Sequence, residues 1–188
     1  MYPNKVQYKK AVVNEMFKEE FNSQFDFSAV LDGNDPILSS GGNAIVFKLK
    51  DKKNENYALK LFNENLKGRN QRLKAISNFL SLHKNDSLID FTFYEELVYI
   101  DSDTNIEVEG FYPGVLMKWI EADSLEEKLK QFINVKDTKS LTIVAENFKK
   151  LALGLLELEI AHGDIKLSNI LIDKSLNLKL IDYDGLFV

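Results

Sequence analysis

One short run of this sequence brings together a carboxylate, an ammonium group and an amide. They are Asp164, Lys166 and Asn169, in His162-Gly163-Asp164-Ile165-Lys166-Leu167-Ser168-Asn169-Ile170-Leu171. A second carboxylate, Asp182, stands eighteen positions after Asp164, directly behind the apolar stretch Leu178 to Ile181. Phosphoryl transfer calls on these group types. It needs a carboxylate to orient an attacking hydroxyl, a cation beside the transferring group, and oxygen donors for a hard metal ion. The same residues also suit polar turns, where Asp and Asn bond their own backbone. Upstream, Lys60 closes the apolar run Tyr57-Ala58-Leu59-Lys60, where a lysine must reach outward or meet an anion. Gly41 and Gly42, in Leu38-Ser39-Ser40-Gly41-Gly42-Asn43-Ala44-Ile45-Val46, let backbone N–H groups approach a phosphate closely.

The His162 run resembles the H-R-D-L-x-x-x-N catalytic loop of protein kinases, and Tyr57 to Lys60 resembles their V-A-I-K strand. Leu180-Ile181-Asp182-Tyr183-Asp184-Gly185 resembles the D-F-G segment, with Asp184 where the glycine usually is. A second register would put the metal ligand at Asp184; the interval from Asp164 and the strand just before it favour Asp182. Leu38 to Val46 stands where the glycine-rich loop belongs, with Ser39 for the first glycine, Gly41 for the second and Ala44 for the third. Leu116-Met117-Lys118-Trp119-Ile120-Glu121-Ala122-Asp123-Ser124-Leu125 is similar to the hinge on which kinases dock adenine. These segments follow the protein-kinase order across residues 38 to 185, and the chain looks most like the bacterial eukaryotic-like Ser/Thr kinases.

The resemblance implies an ATP-dependent phosphotransferase using Mg²⁺. Asp164 would orient the acceptor hydroxyl and Lys166 would neutralise the transferring phosphate, while Asn169 and Asp182 would be metal ligands. Lys60 would meet the α- and β-phosphates, Gly41 and Gly42 would cover them, and Ala58 and Val46 would bound the adenine. Met117 would be the gatekeeper, with backbone groups of Lys118 and Ile120 pairing the base and Ser124 or Asp123 near the ribose. Ser39, Ala44 and Leu171 complete the nucleotide-binding set. Small-molecule phosphotransferases of the aminoglycoside and choline types share the His-Gly-Asp start but usually carry histidine where this chain has Lys166.

Three departures bear on function. Gly163 replaces the arginine of H-R-D, which argues against control by a phosphorylated activation loop. The helix after Lys60 has no acidic residue between Leu66 and Lys84, leaving Glu64, Glu95 or Glu96 to orient the lysine. The sequence stops at Val188, before the activation segment and later helices. The expectation is a truncated domain, inactive alone. The alternatives are a kinase-like scaffold and a small-molecule phosphotransferase.

Positioning these groups requires an α+β arrangement: an antiparallel sheet lobe with one helix over residues 38–118, then an incomplete helical lobe over 119–188. A helical extension over 1–37 precedes them. Apolar periodicity predicts a helix over 6–21 with Val6, Val13, Met16 and Phe17 on one face. It also predicts strands at 44–50 and 56–62 around a polar turn, a helix at 66–82, and strands at 88–99 and 114–119 joined by a charged connector at 101–109. Ser124-Leu125-Glu126-Glu127 has the form of a capping box. A broad apolar helix covers 140–160, and a small hairpin pairs 170–172 with 178–181.

A net charge of -5 argues against a nucleic-acid partner, and no run approaches the length of a membrane span. The absence of cysteine excludes disulfides and thiolate chemistry and suits a cytoplasmic protein. With two histidines, a His-rich zinc site is implausible. The breadth of the 140–160 helix face leads us to expect a homodimer through it; the protein substrate or partner is not legible.

Overall fold

The computed structural model describes residues 2–101 and 108–188, so most of the 101–109 connector lies outside the described residues. Two compact units divide the chain: Met1–Arg72 with Phe91–Trp119, and Leu73–Asp90 with Ile120–Val188. The expected boundary at 118/119 falls one residue later. Residues 1–37 join the first unit rather than standing apart, and 73–90 join the second.

The first unit begins with α1 (Lys5–Val13) and α2 (Glu19–Phe25). Short strands β1 (Ser28–Ala29), β2 (Leu31–Asp32), β3 (Asp35–Pro36) and β4 (Leu38–Ser40) follow. Then come β5 (Ala44–Lys50), β6 (Asn56–Phe62), β7 (Phe91–Ile100) and β8 (Gly110–Lys118); the helix α3 (Arg69–Leu82), between β6 and β7 in sequence, lies from Leu73 onward in the second unit. The main sheet is antiparallel, in the order β1-β5-β6-β8-β7, with β4 also on β5. Strict alternation along β5 and β6 sends Ile45, Phe47, Leu49, Leu59 and Leu61 to one face. That face is buried with Tyr8, Val12, Phe17 and Phe21. Fully burying one such side chain stabilises by about 1.5 to 3 kcal/mol, which makes this face the organising element of the unit.

The single helix expected over 6–21 is two helices. Asn14 ends the first, Glu15 turns with a positive φ of 54°, and Met16 to Lys18 run beside β7. There the Lys18 N–H donates to the Leu97 carbonyl (2.9 Å) and the Tyr99 N–H to the Met16 carbonyl (2.7 Å). Pairing with a strand overrides the helical pattern. The buried side of α1 is therefore Tyr8, Ala11 and Val12, while Val6 and Val13, expected inside, are exposed. The Tyr8 hydroxyl donates to the Phe62 carbonyl at 2.8 Å and ties α1 to the end of β6.

The second unit contains β9 (Asp123–Ser124), α4 (Leu125–Asn134), α5 (Thr138–Glu157), β10 (Ile170–Ile172) and β11 (Leu178–Leu180). Single 3-10 turns lie at Leu167–Asn169 and Tyr183–Gly185. Ser124 caps α4 as predicted, its hydroxyl accepting the Glu127 N–H at 3.2 Å. α5 starts earlier than expected because Asp137 accepts the Ser140 N–H (3.0 Å). It also stops earlier, where Glu159 adopts φ 55° and turns the chain toward His162. α5 packs on α4 and β11, burying Val144, Leu151 and Leu155. Other apolar residues of α5 are open, with Leu156 72% and Leu153 47% exposed, while Leu141 and Ala152 are half-buried. Among the described residues, no helix is long and apolar enough to cross a membrane.

Candidate active site

Register alone gathers most of the expected nucleotide-binding residues of the first unit. Ser39 pairs with Val46, Val46 with Lys60, Lys60 with Val115, and Ala58 with both Lys48 and Met117. Partners across antiparallel strands share a face, so Ser39, Ala44, Val46, Ala58, Lys60 and Met117 all lie on the side opposite the Phe47–Leu59 core. Val46, Lys60 and Met117 are half-buried there, and Ala44 and Ala58 are nearly covered. Gly41 and Gly42 form the tip of the β4–β5 hairpin, where the Gly41 N–H donates to the Ala44 carbonyl at 3.0 Å.

Lys118 departs from this group. Its side chain lies with Tyr57 on the other face, over that ring at 4.1 Å, and pairs with Glu55. Only its backbone remains for the expected role. The Lys60 ammonium sits 5.7 Å from the centre of the Phe62 ring. Of the acids considered for it, Glu96 is paired with Lys18 at 2.7 Å, and the backbone carbonyl of Glu64 accepts from the guanidinium of Arg69. An open concavity of about 500 Å³ in this unit is elsewhere: Lys18, Phe21, Tyr94 and Glu96 line it, and it holds no expected nucleotide-binding residue.

In the second unit the short β9 strand sets Ser124 directly opposite Leu171. Two positions 47 residues apart in sequence thus become neighbours. In the His162 to Leu171 run, the ammonium of Lys166 donates to Asp164 Oδ2 at 2.6 Å. The buried Asn169 amide donates to the same Oδ2 and to the Asp164 carbonyl, both at 3.0 Å. Both amide hydrogens of Asn169 are therefore engaged on Asp164, and its Oδ1 is left as an acceptor. The bonds from Lys166, then from Asn169, hold the Asp164 carboxyl below its ordinary range. In return Asp164 raises the pKa of Lys166, and Asp182 adds to the effect. The lysine thus lies within electrostatic reach of both carboxylates.

Asp182 reaches this cluster through backbone. The Ile181 N–H donates to the Asn169 carbonyl at 2.9 Å, and Asp182 then adopts φ 67°, ψ 67°. Aspartate tolerates this left-handed backbone better than most side chains, and the turn starts the 3-10 segment Tyr183–Gly185. Behind it, Ala161 and Phe187 exchange a pair of backbone bonds (2.8 and 3.2 Å) that lay the two loops side by side. Gly163, at φ 78°, fits this contact only because it has no side chain: a Cβ there would lie 2.4 Å from the Gly185 carbonyl oxygen. A larger residue such as arginine has no room at 163. Nothing in the sequence marks this contact, because each glycine reads by itself as a turn former.

Asn169 Oδ1 and the Asp182 carboxylate are oxygen donors suited to a hard cation. Among the described residues no group of three or more acidic, His or Cys side chains could hold a metal. Two protein ligands fit Mg²⁺, which keeps several waters and completes its shell from substrate phosphates. His162 is buried against Tyr183, with Nε2 bonded to the Ile181 carbonyl at 3.0 Å. Its role is structural, joining the ends of the two loops.

Comparison with protein-family models finds no match to the chain, and comparison with curated proteins finds none either.

Proposed function

We propose that the chain carries the catalytic and metal-binding loops of an ATP-dependent phosphotransferase of the protein-kinase type, on an α+β fold of that family. The observation that carries the reading is the arrangement around Asp164. One oxygen, Oδ2, is fixed by Lys166 and Asn169. The other is left to accept a hydrogen bond from an acceptor hydroxyl and take its proton as the new O–P bond forms and the bond from the γ-phosphorus to its bridging oxygen breaks, with ADP as the leaving group. Lys166 has a raised pKa and so remains charged, ready to turn toward the transferring phosphoryl group. Asn169 Oδ1 and Asp182 would hold Mg²⁺, which when bound neutralises phosphate charge and fixes its orientation.

The hairpin glycines support a nucleotide on the first unit. Gly41 and Gly42 have neither a positive φ nor any atom within 4 Å of a built Cβ, so nothing in the fold requires glycine at either position. Close approach by a phosphate chain would require it. Lys60, Val46, Ala58 and Met117 on one half-open sheet face suit the same ligand.

A small-molecule acceptor is the second reading, and the steric need for glycine at 163 favours it. The His-Gly-Asp start shared by those enzymes is the form this packing admits. The test is calorimetry with a non-hydrolysable ATP analogue and Mg²⁺, followed by transfer assays on peptides and on small hydroxyl compounds. We expect binding in the wild type and at least a tenfold loss in Asp182→Ala, with Asp164→Asn binding nucleotide but transferring nothing. Equal affinity in wild type and Asp182→Ala would refute the metal assignment. No nucleotide binding at all would leave only the scaffold reading.

A further inference from the structure

The metal-ligand segment is held by more than its neighbour loop. The Tyr183 side chain is buried and its hydroxyl is fully engaged. It accepts the Ile89 N–H at 2.7 Å and donates to the Leu180 carbonyl at 2.6 Å. Ile89 belongs to a strap that runs along β11. The Leu180 N–H donates to the Ser87 carbonyl (2.8 Å), Leu88 bridges Leu180, and the Lys179 ammonium donates to the Asp86 carbonyl. The strap is tied in turn at Asn85, whose side-chain oxygen accepts the Ser87 N–H at 2.8 Å. Asn85 also lies where a side chain on Gly154 of α5 would have to be. Residues 85–89 therefore sit clasped between α5 and the segment that carries Asp182.

Phenylalanine would fill the ring's place and bury the same apolar area. What tyrosine adds is one oxygen, which bonds both the Ile89 N–H and the Leu180 carbonyl. We infer that Tyr183 is a positioning residue. Its hydroxyl fastens residues 182–185 to the 85–89 strap, so that the Asp182 carboxylate is aimed before any metal or nucleotide arrives. The inference rests on the metal assignment proposed above. It extends the site to Ile89, a residue with no chemistry of its own, and predicts that ligand adds little order to a segment already fixed.

Two measurements on the whole chain test it. The first is amide hydrogen exchange on the wild type and Tyr183→Phe, with and without ADP and Mg²⁺. The wild type should protect Ile89 and residues 182–185 without ligand, and Tyr183→Phe should expose them to exchange about tenfold faster or more. The second is ADP affinity with Mg²⁺ and in its absence. Tyr183→Phe should keep the metal-free affinity and lose most of the gain that Mg²⁺ gives, a split that mere loss of stability would not produce.

Unchanged exchange in Tyr183→Phe, or an undiminished Mg²⁺ gain, overturns the inference. Should that variant fail to fold, the wild type decides. Fast exchange at Ile89 and 182–185 that slows only on adding ADP and Mg²⁺ overturns pre-aiming, and protection already present upholds it. If the wild type binds no ADP with Mg²⁺, the proposed function falls and the positioning role with it. Protection surviving at Ile89 would then show that the function failed and the clasp did not.

Discussion

Replacing Gly163 by alanine tests how tightly the two loops are laid together, and its cost can be worked from the structure. The first part is conformational: φ at 163 is 78°, and a left-handed backbone costs a non-glycine residue about 1–2 kcal/mol. The second part is steric. The new Cβ would lie 2.4 Å from the Gly185 oxygen and 3.1 Å from its carbonyl carbon, both backbone atoms, so the loops must part by more than half an ångström. The bonds that would lengthen are the two between Ala161 and Phe187, now 2.8 and 3.2 Å. Each is worth about 0.5–1.5 kcal/mol net. Together these give a loss of about 2–5 kcal/mol. Gly185→Ala is the matched control across the same contact. Its φ is not in the positive range, and its Cβ would be tight only against the His162 oxygen, at 3.2 Å, with Gly163 backbone atoms at ordinary contact distances of 3.6 and 3.7 Å. It should cost less than about 1 kcal/mol, offset in part by the reduced freedom of the unfolded chain. Urea unfolding with a common m-value measures both. A loss below about 1 kcal/mol for Gly163→Ala, or equal losses for the two variants, would refute the close approach and with it the steric reason for glycine at 163.

Two further outcomes follow from the same unit. Burial pushes the His162 imidazole below its ordinary 6.5, although the Ile181 carbonyl, Asp182 and Asp164 pull the other way. The folded state resists a proton that the unfolded state takes up, so stability is full above pH 6.5 and declines as pH falls below it toward the folded value. Denaturation midpoints between pH 7.5 and 5 should show this slope in the wild type and a flatter one in His162→Gln. Ser124→Ala should lose about 1 kcal/mol with the α4 cap, and Ser124→Asp should retain most of it because a carboxylate both caps and suits a helix N-terminus; thermal unfolding of the two variants separates them.

The sequence made the strands legible where one face is buried and the other is not. The alternation in 44–50 and 56–62 reproduces β5 and β6 to the residue, because period two admits one register against a core. The loop motif singled out Asp164, Lys166 and Asn169, and the structure bonds the last two to the first. What failed was set by distant partners. The 6–21 helix breaks because β7 supplies a strand edge to Met16–Lys18, and no local pattern advertises an edge far along the chain. Ile89 was invisible as a site residue, since it contributes only its backbone N–H.

The register of β5 against β6 has a further consequence. Lys60 stands opposite Val46, and Leu59 and Leu61 are sent to the other side by that same pairing. A slip of one position would exchange them, driving an ammonium into the aromatic core and a leucine into its place; a slip of two would restore every orientation. What holds the count is the turn at 51–55, where Asp51 Oδ1 accepts the Lys53 and Glu55 N–H groups (2.9 and 2.8 Å). The Asp51 N–H closes the turn on the Glu55 carbonyl at 3.0 Å. Asp51 is thus a keeper of parity. Length changes that reach β6 from this turn are tolerable in even steps and ruinous in odd ones, at a distance from any residue that would touch a ligand.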